Sequence, residues 1–370
     1  MLNSVTRRSA GDEVEKTVTR FRGRSLPRLN LLRLDDVNCR LTNQPKPPSL
    51  PDKHKSFFAL FQPKVAANLI KAVLRRAVRQ RPIVTKDIMT DQPTDARERL
   101  RQNFLDHDPQ QHPNRWEHLW QQDDLPWDKG FASPALADVL ADRKDLLPAA
   151  SSGRRPRALV PGCGKGYDVL LLASWGYDAV GVEAAATAVK AANAESKGWE
   201  EKPEYAVKDE AKGRGSARFI FGDFFEKNWE KEALGEDGSK EGQWDLIYDY
   251  TRTRTDDDKF LCALPPALRP KWAARQSSLL SPSGRLICLE FPTYKPASTG
   301  GPPWALRPET YLAHLNQPGK DIEYDEEGFA VWKEGQVPGD GALERIAHWK
   351  PEKTHKIGEG TDNVSVWKRR

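Results

Sequence analysis

"LVPGCGKGYDV", residues 159–169, is the stretch that decides the fold. Its glycines, Gly162, Gly164 and Gly166, stand between an apolar run typical of a buried strand and an apolar pattern typical of a helix. Glycines at such a junction let the backbone turn tightly and approach a ligand closely. The same turn serves NAD, FAD and S-adenosylmethionine, so alone it does not select one of them. The chain lacks GxxxxGK followed by Ser or Thr, which excludes a P-loop for nucleoside triphosphates.

Strand and helix patterns alternate along the chain on both sides of this turn. A short buried strand is predicted at 157–162, further strands at 178–183, 244–250 and 285–292, and a strand running into a turn at 217–225. Helices are predicted at 167–176, 184–198, 266–284 and 308–315. Two more strands, at 343–350 and 363–369, suit a closing antiparallel pair. Repeated strand–helix units require a mostly parallel sheet with helices on both faces, so an α/β fold is predicted.

Acidic residues follow the second and third predicted strands. Glu183 ends the second strand, where a carboxylate can accept hydrogen bonds from both hydroxyls of a ribose. Its alternative role is to cap the helix that follows. Asp223 ends the third strand, where it can accept from an adenine amino group while Phe224 packs on the ring. The glycine turn, Glu183 and the Asp223–Phe224 pair, in this order, favour S-adenosylmethionine over NAD.

Three tryptophans precede the sheet, in "RWEHLWQQDDLPWDKGF". Trp116 and Trp120 are four residues apart and share one helix face, and Trp127 follows. An aromatic face of this kind can simply cover a core. It can also line a pocket for a sulfonium cation, because cation–π attraction is worth about 0.5–2 kcal/mol. Both interpretations use the same geometry.

Length and composition limit the number of domains, the cellular compartment and the presence of disulfides or metal sites. The chain has 370 residues, enough for one large domain or two ordinary ones. Its four cysteines form no CxxC pair, so neither a disulfide framework nor a metal site is expected, and a reducing, cytoplasmic compartment fits. No apolar run reaches about 18 residues, so no membrane insertion is expected.

The N-terminal part has a different character. Residues 1–88 hold 19 Lys and Arg against 7 Asp and Glu, and are expected to be a largely disordered extension with an amphipathic helix near 65–80. If the segment belongs to the natural protein, mitochondrial import is possible; alternatively, translation starts at Met89 and 1–88 is an upstream extension. A nucleic-acid interaction through this segment is not expected, because stacking aromatics are sparse there. Lid helices are predicted at 89–150 and the core domain at 151–370.

Several motifs together carry a family resemblance. The tryptophan segment, "LVPGCGKGYDV", "VGVE", "FGDFF", "YDYT", "FLCALPP", "LICLEFP" and "GGPPW" resemble the thiopurine S-methyltransferase superfamily, and within it the thiol and halide methyltransferase branch of plants and fungi. The likeness covers roughly residues 98–350. It implies a Rossmann-like class I methyltransferase with a seven-stranded sheet, commonly monomeric. It also implies methyl transfer from S-adenosylmethionine to a small thiol, bisulfide, thiocyanate or halide.

The resemblance assigns roles to individual positions. Tyr250 matches a residue beside the methionine part of the cofactor, and Arg269 an arginine on the substrate side of thiopurine enzymes. Tyr250, Asp249 or a water could accept a proton, although the chemistry does not require a dedicated base. Cys262 is expected to be a small buried hydrophobe. The positions expected to bind the cofactor are Trp116, Trp120, Trp127, Gly162, Gly164, Glu183, Asp223, Phe224 and Tyr250.

An eight-residue polar run, "RTRTDDDK" at 252–259, separates "YDYT" from "FLCALPP". In relatives these two motifs join directly, so the run is interpreted as an insertion at the catalytic mouth. It is either a real loop over the acceptor pocket or an error in the predicted gene. Two alternatives to the main function therefore stay open: a class I methyltransferase with another acceptor, and a catalytically impaired homologue.

Overall fold

The structure is a computed structural model that describes residues 100–104, 107–108, 111–148, 153–250 and 260–370. All of these lie within one compact unit, Ile88–Arg370. The predicted basic extension 1–88, its helix near 65–80 and the polar run 252–259 lie outside the described residues, and the predicted lid region 89–150 is described in part. Among the described helices, none is long and apolar enough to cross a membrane.

A seven-stranded sheet forms the centre of the fold, in the order β3-β2-β1-β4-β5-β7-β6. Strands β1 to β5 are parallel, and β7 runs antiparallel to both β5 and β6. The predicted α/β fold and its closing antiparallel pair are confirmed. The strands are β1 (Arg157–Pro161), β2 (Asp178–Glu183), β3 (Ala217–Phe221), β4 (Trp244–Asp249), β5 (Leu280–Glu290), β6 (Leu343–Trp349) and β7 (Asn363–Arg369).

Helices precede, link and cover the strands. They are α1 (His112–Gln121), α2 (Pro134–Asp142), α3 (Tyr167–Ser174), α4 (Ala186–Glu195), α5 (Asn228–Leu234), α6 (Phe260–Ala263), α7 (Arg269–Leu279) and α8 (Pro308–Asn316). Proline stands in the first turn of α1, α2, α7 and α8, where its missing N–H costs no hydrogen bond. Ser133 caps α2 by accepting from the N–H of Leu136.

Both faces of the sheet are buried, as a parallel sheet requires. On one face, Ala158 and Tyr248 pack with leucines of α2 and α3. On the other face, Leu159 and Ile247 pack with Trp229 of α5, Trp272 of α7 and Tyr311 of α8. Neighbouring residues of one strand thus pack into the apolar layers on opposite faces of the sheet. This is why the strand sequences are continuous apolar runs.

The junction between α7 and β5 differs from the prediction. A helix was predicted to run to residue 284 and the strand to begin at 285, but the helix ends at Leu279 and the strand begins at Leu280. Leu280 pairs with Trp244, and an irregularity follows in the pairing of β4 with β5. The Pro-Ser-Gly sequence, residues 282–284, therefore lies within an extended strand rather than at a helix end. The pairing with β4 passes from Leu280 directly to Arg285, so residues 281–284 form an irregularity within the strand.

The strand order determines where a ligand can bind. β1 lies between β2 and β4, so the chain leaves β1 and β4 toward opposite sides of the sheet. In open α/β sheets, ligands bind at such a switch point, outside the carboxyl ends of the strands. Gly162, Glu183, Asp223 and Tyr250 stand at the carboxyl ends of β1, β2, β3 and β4. Four predicted site residues thus meet at one edge of the sheet.

Candidate active site

A cavity of about 430 Å³ lies at this edge. A smaller space of about 20 Å³ shares Trp120, Trp127, Gly162 and Gly164 with it and adds Tyr250. The large cavity is lined by eight predicted cofactor residues: Trp116, Trp120, Trp127, Gly162, Gly164, Glu183, Asp223 and Phe224. It is also lined by residues that were not predicted, among them His112, Phe225, Phe260, Leu264, Leu268 and Lys271.

The glycine turn is held open by backbone geometry that favours glycine. Gly162, Gly164 and Gly166 have φ angles of 59°, 53° and 77°. A Cβ on Gly166 would also collide with the ring of Phe219 on β3. Gly162 and Gly164 line the large cavity without a side chain, so a ligand can approach the backbone closely there.

Glu183 joins the glycine turn to the start of α4. Its Oε2 accepts from the N–H of Gly164 at 3.0 Å, and its Oε1 accepts from the N–H groups of Ala184 at 2.9 Å and Ala185 at 3.3 Å. Burial raises the pKa of this carboxyl, while the three backbone donors act in the opposite direction. Glu183 thus lines the cavity, and the backbone partners of its Oε1 are the residues just before α4; the first-turn N–H of Thr187 donates to Glu117 instead.

The turn after β3 holds the Asp223–Phe224 pair. Asp223 Oδ1 accepts from the N–H of Phe225 at 2.8 Å, and Phe224 is buried edge-to-face against Phe260 with ring centroids 4.9 Å apart. Both residues line the cavity. The carboxylate is thus oriented by the turn itself, next to an aromatic wall.

Arg275 of α7 supports this turn from the core side. Its Nε donates to the carbonyl of Phe224 at 2.9 Å, and one terminal nitrogen donates to the carbonyl of Glu226 at 2.7 Å and to Glu230 at 2.6 Å. Arg275 and Glu230 are both buried. No local sequence pattern indicates this group, because Arg275 lies 45 to 51 residues from its partners.

The tryptophans form one edge-to-face cluster. The rings of Trp116 and Trp127 are 5.5 Å apart and those of Trp120 and Trp127 are 5.9 Å apart. Glu117 links α1, which carries Trp116 and Trp120, to the start of α4, where it accepts from the N–H of Thr187 at 2.9 Å and from its hydroxyl at 2.6 Å. The cluster is part of an apolar core and lines the cavity at the same time.

The side chains of Asp249 and Tyr250, at the end of β4, lie in different environments. Tyr250 is buried and lines the smaller space beside the glycine turn. Asp249 lines neither space: its Oδ2 accepts from Trp272 Nε1 at 2.6 Å and from Gln276 Nε2 at 2.7 Å. Burial raises the pKa of Asp249 to about 6. Its carboxylate is therefore engaged by α7, on the core side of the strand.

Arg269 is buried at the start of α7. Its guanidinium donates to the carbonyl of Ala305 at 3.1 Å and to the Tyr324 hydroxyl at 3.3 Å. It lines neither the large cavity nor the smaller space, although its neighbours Leu268 and Lys271 line the former. The role of Arg269 on the substrate side stays a prediction. Cys262 is fully buried in the apolar layer of α7, as expected.

The described residues fit the parts of S-adenosylmethionine. Glu183 offers a buried carboxylate of the kind that accepts from ribose hydroxyls, Asp223 offers a carboxylate held by its turn beside the ring of Phe224, and indole rings line the same cavity. No group of three or more His, Cys, Asp and Glu that could hold a metal ion occurs in the described part of the chain.

The fold and the site define a class I, S-adenosylmethionine-dependent methyltransferase. The sequence model of the family Thiopurine S-methyltransferase (TPMT) matches residues 111–350. The chain belongs to this family and is an S-methyltransferase, as its motifs predicted.

Two plant proteins are similar in sequence to about two thirds of this chain. The probable thiol methyltransferase 2 of Arabidopsis thaliana is 32% identical over 242 residues, which cover 65% of this chain and 85% of that protein. Thiocyanate methyltransferase 1 of the same plant is 31% identical over 236 residues, covering 64% and 83%. Among solved structures, the chain is similar to a SAM-dependent methyltransferase from Anabaena variabilis, with 13% identity, coverage of 70% and 95%, and a TM-score of 0.41.

Proposed function

We propose that this enzyme methylates a small sulfur or halide acceptor: a thiol, bisulfide, thiocyanate or halide ion. One observation carries the proposal: eight of the nine predicted cofactor residues, from the N-terminal tryptophan segment and from three successive strand ends, converge on one cavity. The names of the plant relatives, a probable thiol methyltransferase and a thiocyanate methyltransferase, support an acceptor of this size.

The proposal gives each predicted cofactor residue a role. Glu183 accepts hydrogen bonds from the ribose hydroxyls, and Asp223 accepts one from the adenine amino group. Phe224 packs on the adenine ring. Backbone of Gly162 and Gly164 adjoins the methionine part, with Tyr250 beside it. The electron-rich faces of Trp116, Trp120 and Trp127 stabilise the sulfonium.

The residues around the cavity position the reactants and exclude water. When bound, S-adenosylmethionine supplies an electrophilic methyl group for an in-line displacement by sulfur. The walls contributed by Trp120, Trp127 and Phe224 keep water away from the acceptor, and desolvation makes an anionic nucleophile more reactive. A free thiol has a pKa of about 8.5, so several per cent is thiolate at neutral pH. No dedicated base is required, which agrees with the engagement of Asp249 by Trp272 and Gln276.

The pH dependence of kcat/KM should reflect the ionisation of the acceptor rather than that of a group on the enzyme. For an alkyl thiol we expect kcat/KM to rise with pH up to about 8.5, the ordinary pKa of the thiol. For thiocyanate, which has no proton to lose, we expect a flat profile over the same range. Initial rates with both acceptors, measured from about pH 6.5 to 9 in one buffer series, check this. A rising limb at the same pH for both acceptors would instead reveal a base on the enzyme.

Two measurements test the proposed function. Calorimetric titration with S-adenosylhomocysteine should show one site per chain. Turnover should then occur with at least one of bisulfide, thiocyanate, iodide and a panel of aryl thiols, and not with catechols or amines. Turnover of oxygen or nitrogen acceptors alone would assign another acceptor class. Binding of S-adenosylhomocysteine without any turnover would indicate an impaired homologue.

We further propose a cytoplasmic monomer in which residues 89–150 form the lid and 151–370 the core. In support of a reducing compartment, the cysteines of the described residues, Cys163, Cys262 and Cys288, form no disulfide with one another. Mass spectrometry of the natural protein tests the N-terminal boundary, since abundant peptides from 1–88 would exclude a start at Met89.

A further inference from the structure

The connection between β6 and β7, residues 350–362, returns to the edge of the sheet that carries the active site. All of it except Lys350 lies beyond the residues that the family model matches. His355 is buried within it and precedes the short turn Lys356–Gly358, whose Gly358 N–H donates to the His355 carbonyl at 2.8 Å. A buried imidazole on a surface connection calls for an explanation.

His355 contacts two aromatic rings from distant parts of the chain. Its ring stacks on Tyr250 with a centroid distance of 5.8 Å and an interplanar angle of 15°. It also meets Phe131, just after the tryptophan segment, at 4.8 Å and 53°. Phe131 is half-exposed, whereas His355 and Tyr250 are each about 2% exposed. The imidazole thus lies between the end of β4 and the segment that leads from Trp127 to α2.

The connection is anchored on both sides of His355. Lys353 forms an ion pair with Asp138 of α2 at 3.2 Å, and the Thr354 hydroxyl donates to Asp362 at 2.6 Å. Lys350 donates to the carbonyl of Gly360 at 2.9 Å, which ties the two ends of the connection together. These contacts fix the backbone from which the imidazole projects, so the ring contact with Tyr250 has a firm support.

We propose that His355 is a positioning residue that holds the ring of Tyr250 against the methionine end of the cofactor. This inference rests on the proposed function, in which Tyr250 lies beside the methionine part. In-line displacement is sensitive to small misplacements, and a shift of about 1 Å can lower a rate by about 10²-fold. The stacked imidazole acts by restricting Tyr250, so a flat aromatic ring of any chemistry should replace it.

Two substitutions separate positioning from other roles. His355→Ala removes the ring, and we expect kcat at saturating S-adenosylmethionine to fall by about 10- to 100-fold, with little change in affinity for S-adenosylhomocysteine. His355→Phe restores a ring and should recover most of kcat. His118→Ala, which removes an exposed imidazole from α1, is the control and should behave like the wild type. Equal losses in the Ala and Phe variants, or none in either, would overturn the proposal.

A double-mutant cycle and a spectroscopic signal complete the test. If His355 acts through Tyr250, then His355→Ala should add no further loss in a Tyr250→Ala background. In protein labelled with 3-fluorotyrosine, the fluorine resonance of Tyr250, identified by its absence in Tyr250→Phe, should shift or broaden in His355→Ala and return in His355→Phe. This signal needs no turnover. An inactive wild type with the expected spectra would therefore count against the proposed function only, and an unchanged resonance would count against the role of His355.

Discussion

We expect Glu183→Gln to weaken the binding of S-adenosylhomocysteine by roughly 10- to 100-fold, because the proposed charged acceptor of the ribose hydroxyls is replaced by a neutral amide. Hydrogen bonds to a charged group contribute about 1.5–3 kcal/mol. The amide also cannot accept at both oxygen positions, which at present receive the N–H groups of Gly164, Ala184 and Ala185. Calorimetric titration of the wild type and the variant measures the effect.

A matched control and a modified ligand make this result specific. Glu195→Gln changes a carboxylate at the end of α4 that pairs with Lys202, and it should bind like the wild type. An S-adenosylhomocysteine analogue that lacks one ribose hydroxyl should lose less affinity for Glu183→Gln than for the wild type. Equal losses for both proteins would show that the Glu183 carboxylate does not contact the ribose.

We expect Arg275→Met to lower the free energy of unfolding by about 3–5 kcal/mol, because it leaves the Glu230 carboxylate buried without its charge partner. The variant also loses the two hydrogen bonds that Arg275 donates to the carbonyls of Phe224 and Glu226. The turn that presents Asp223 should loosen, so affinity for S-adenosylhomocysteine should fall as well. Urea unfolding followed by tryptophan fluorescence, with the denaturant slope held common, measures the stability change.

Two comparisons show whether the buried charge is the cause. Lys333→Met breaks the exposed pair with Glu323 and should leave the unfolding midpoint nearly unchanged. The double variant Arg275→Met/Glu230→Leu removes both charges and should be more stable than Arg275→Met alone. A single variant as stable as the Lys333→Met control would contradict the account of this ion pair.

Local sequence patterns were sufficient to predict the strands of the sheet and the cavity residues at the strand ends. The glycine turn, Glu183 and Asp223 each follow a strand that reads as an apolar run, and parallel strands bring their carboxyl ends to one edge. Trp116 and Trp120 could be placed on one helix face from their spacing alone. These features depend on neighbours within a few residues, which a sequence displays directly.

The supporting groups could not be predicted, because their partners are distant along the chain. Glu117 meets Thr187 across 70 residues, and Arg275 meets Glu230 across 45. His355 belongs to a connection whose course over the sheet follows from the pairing of β5, β6 and β7. The start of β5 at Leu280 was likewise missed, since pairing with Trp244 extends a strand through a sequence that resembles a helix end.

Transfer of a labelled methyl group tests the central claim most directly. The full chain is incubated with S-adenosylmethionine carrying a ¹³C-methyl group and, in separate reactions, with bisulfide, thiocyanate, iodide and an aryl thiol. We predict that at least one reaction gives a labelled product, which is methanethiol from bisulfide, methyl thiocyanate from thiocyanate, methyl iodide from iodide or a methyl thioether from the aryl thiol. One S-adenosylhomocysteine should form per product. At limiting cofactor, Glu183→Gln should lose most of this activity. Label on no acceptor, from a protein that binds S-adenosylhomocysteine, would contradict the claim.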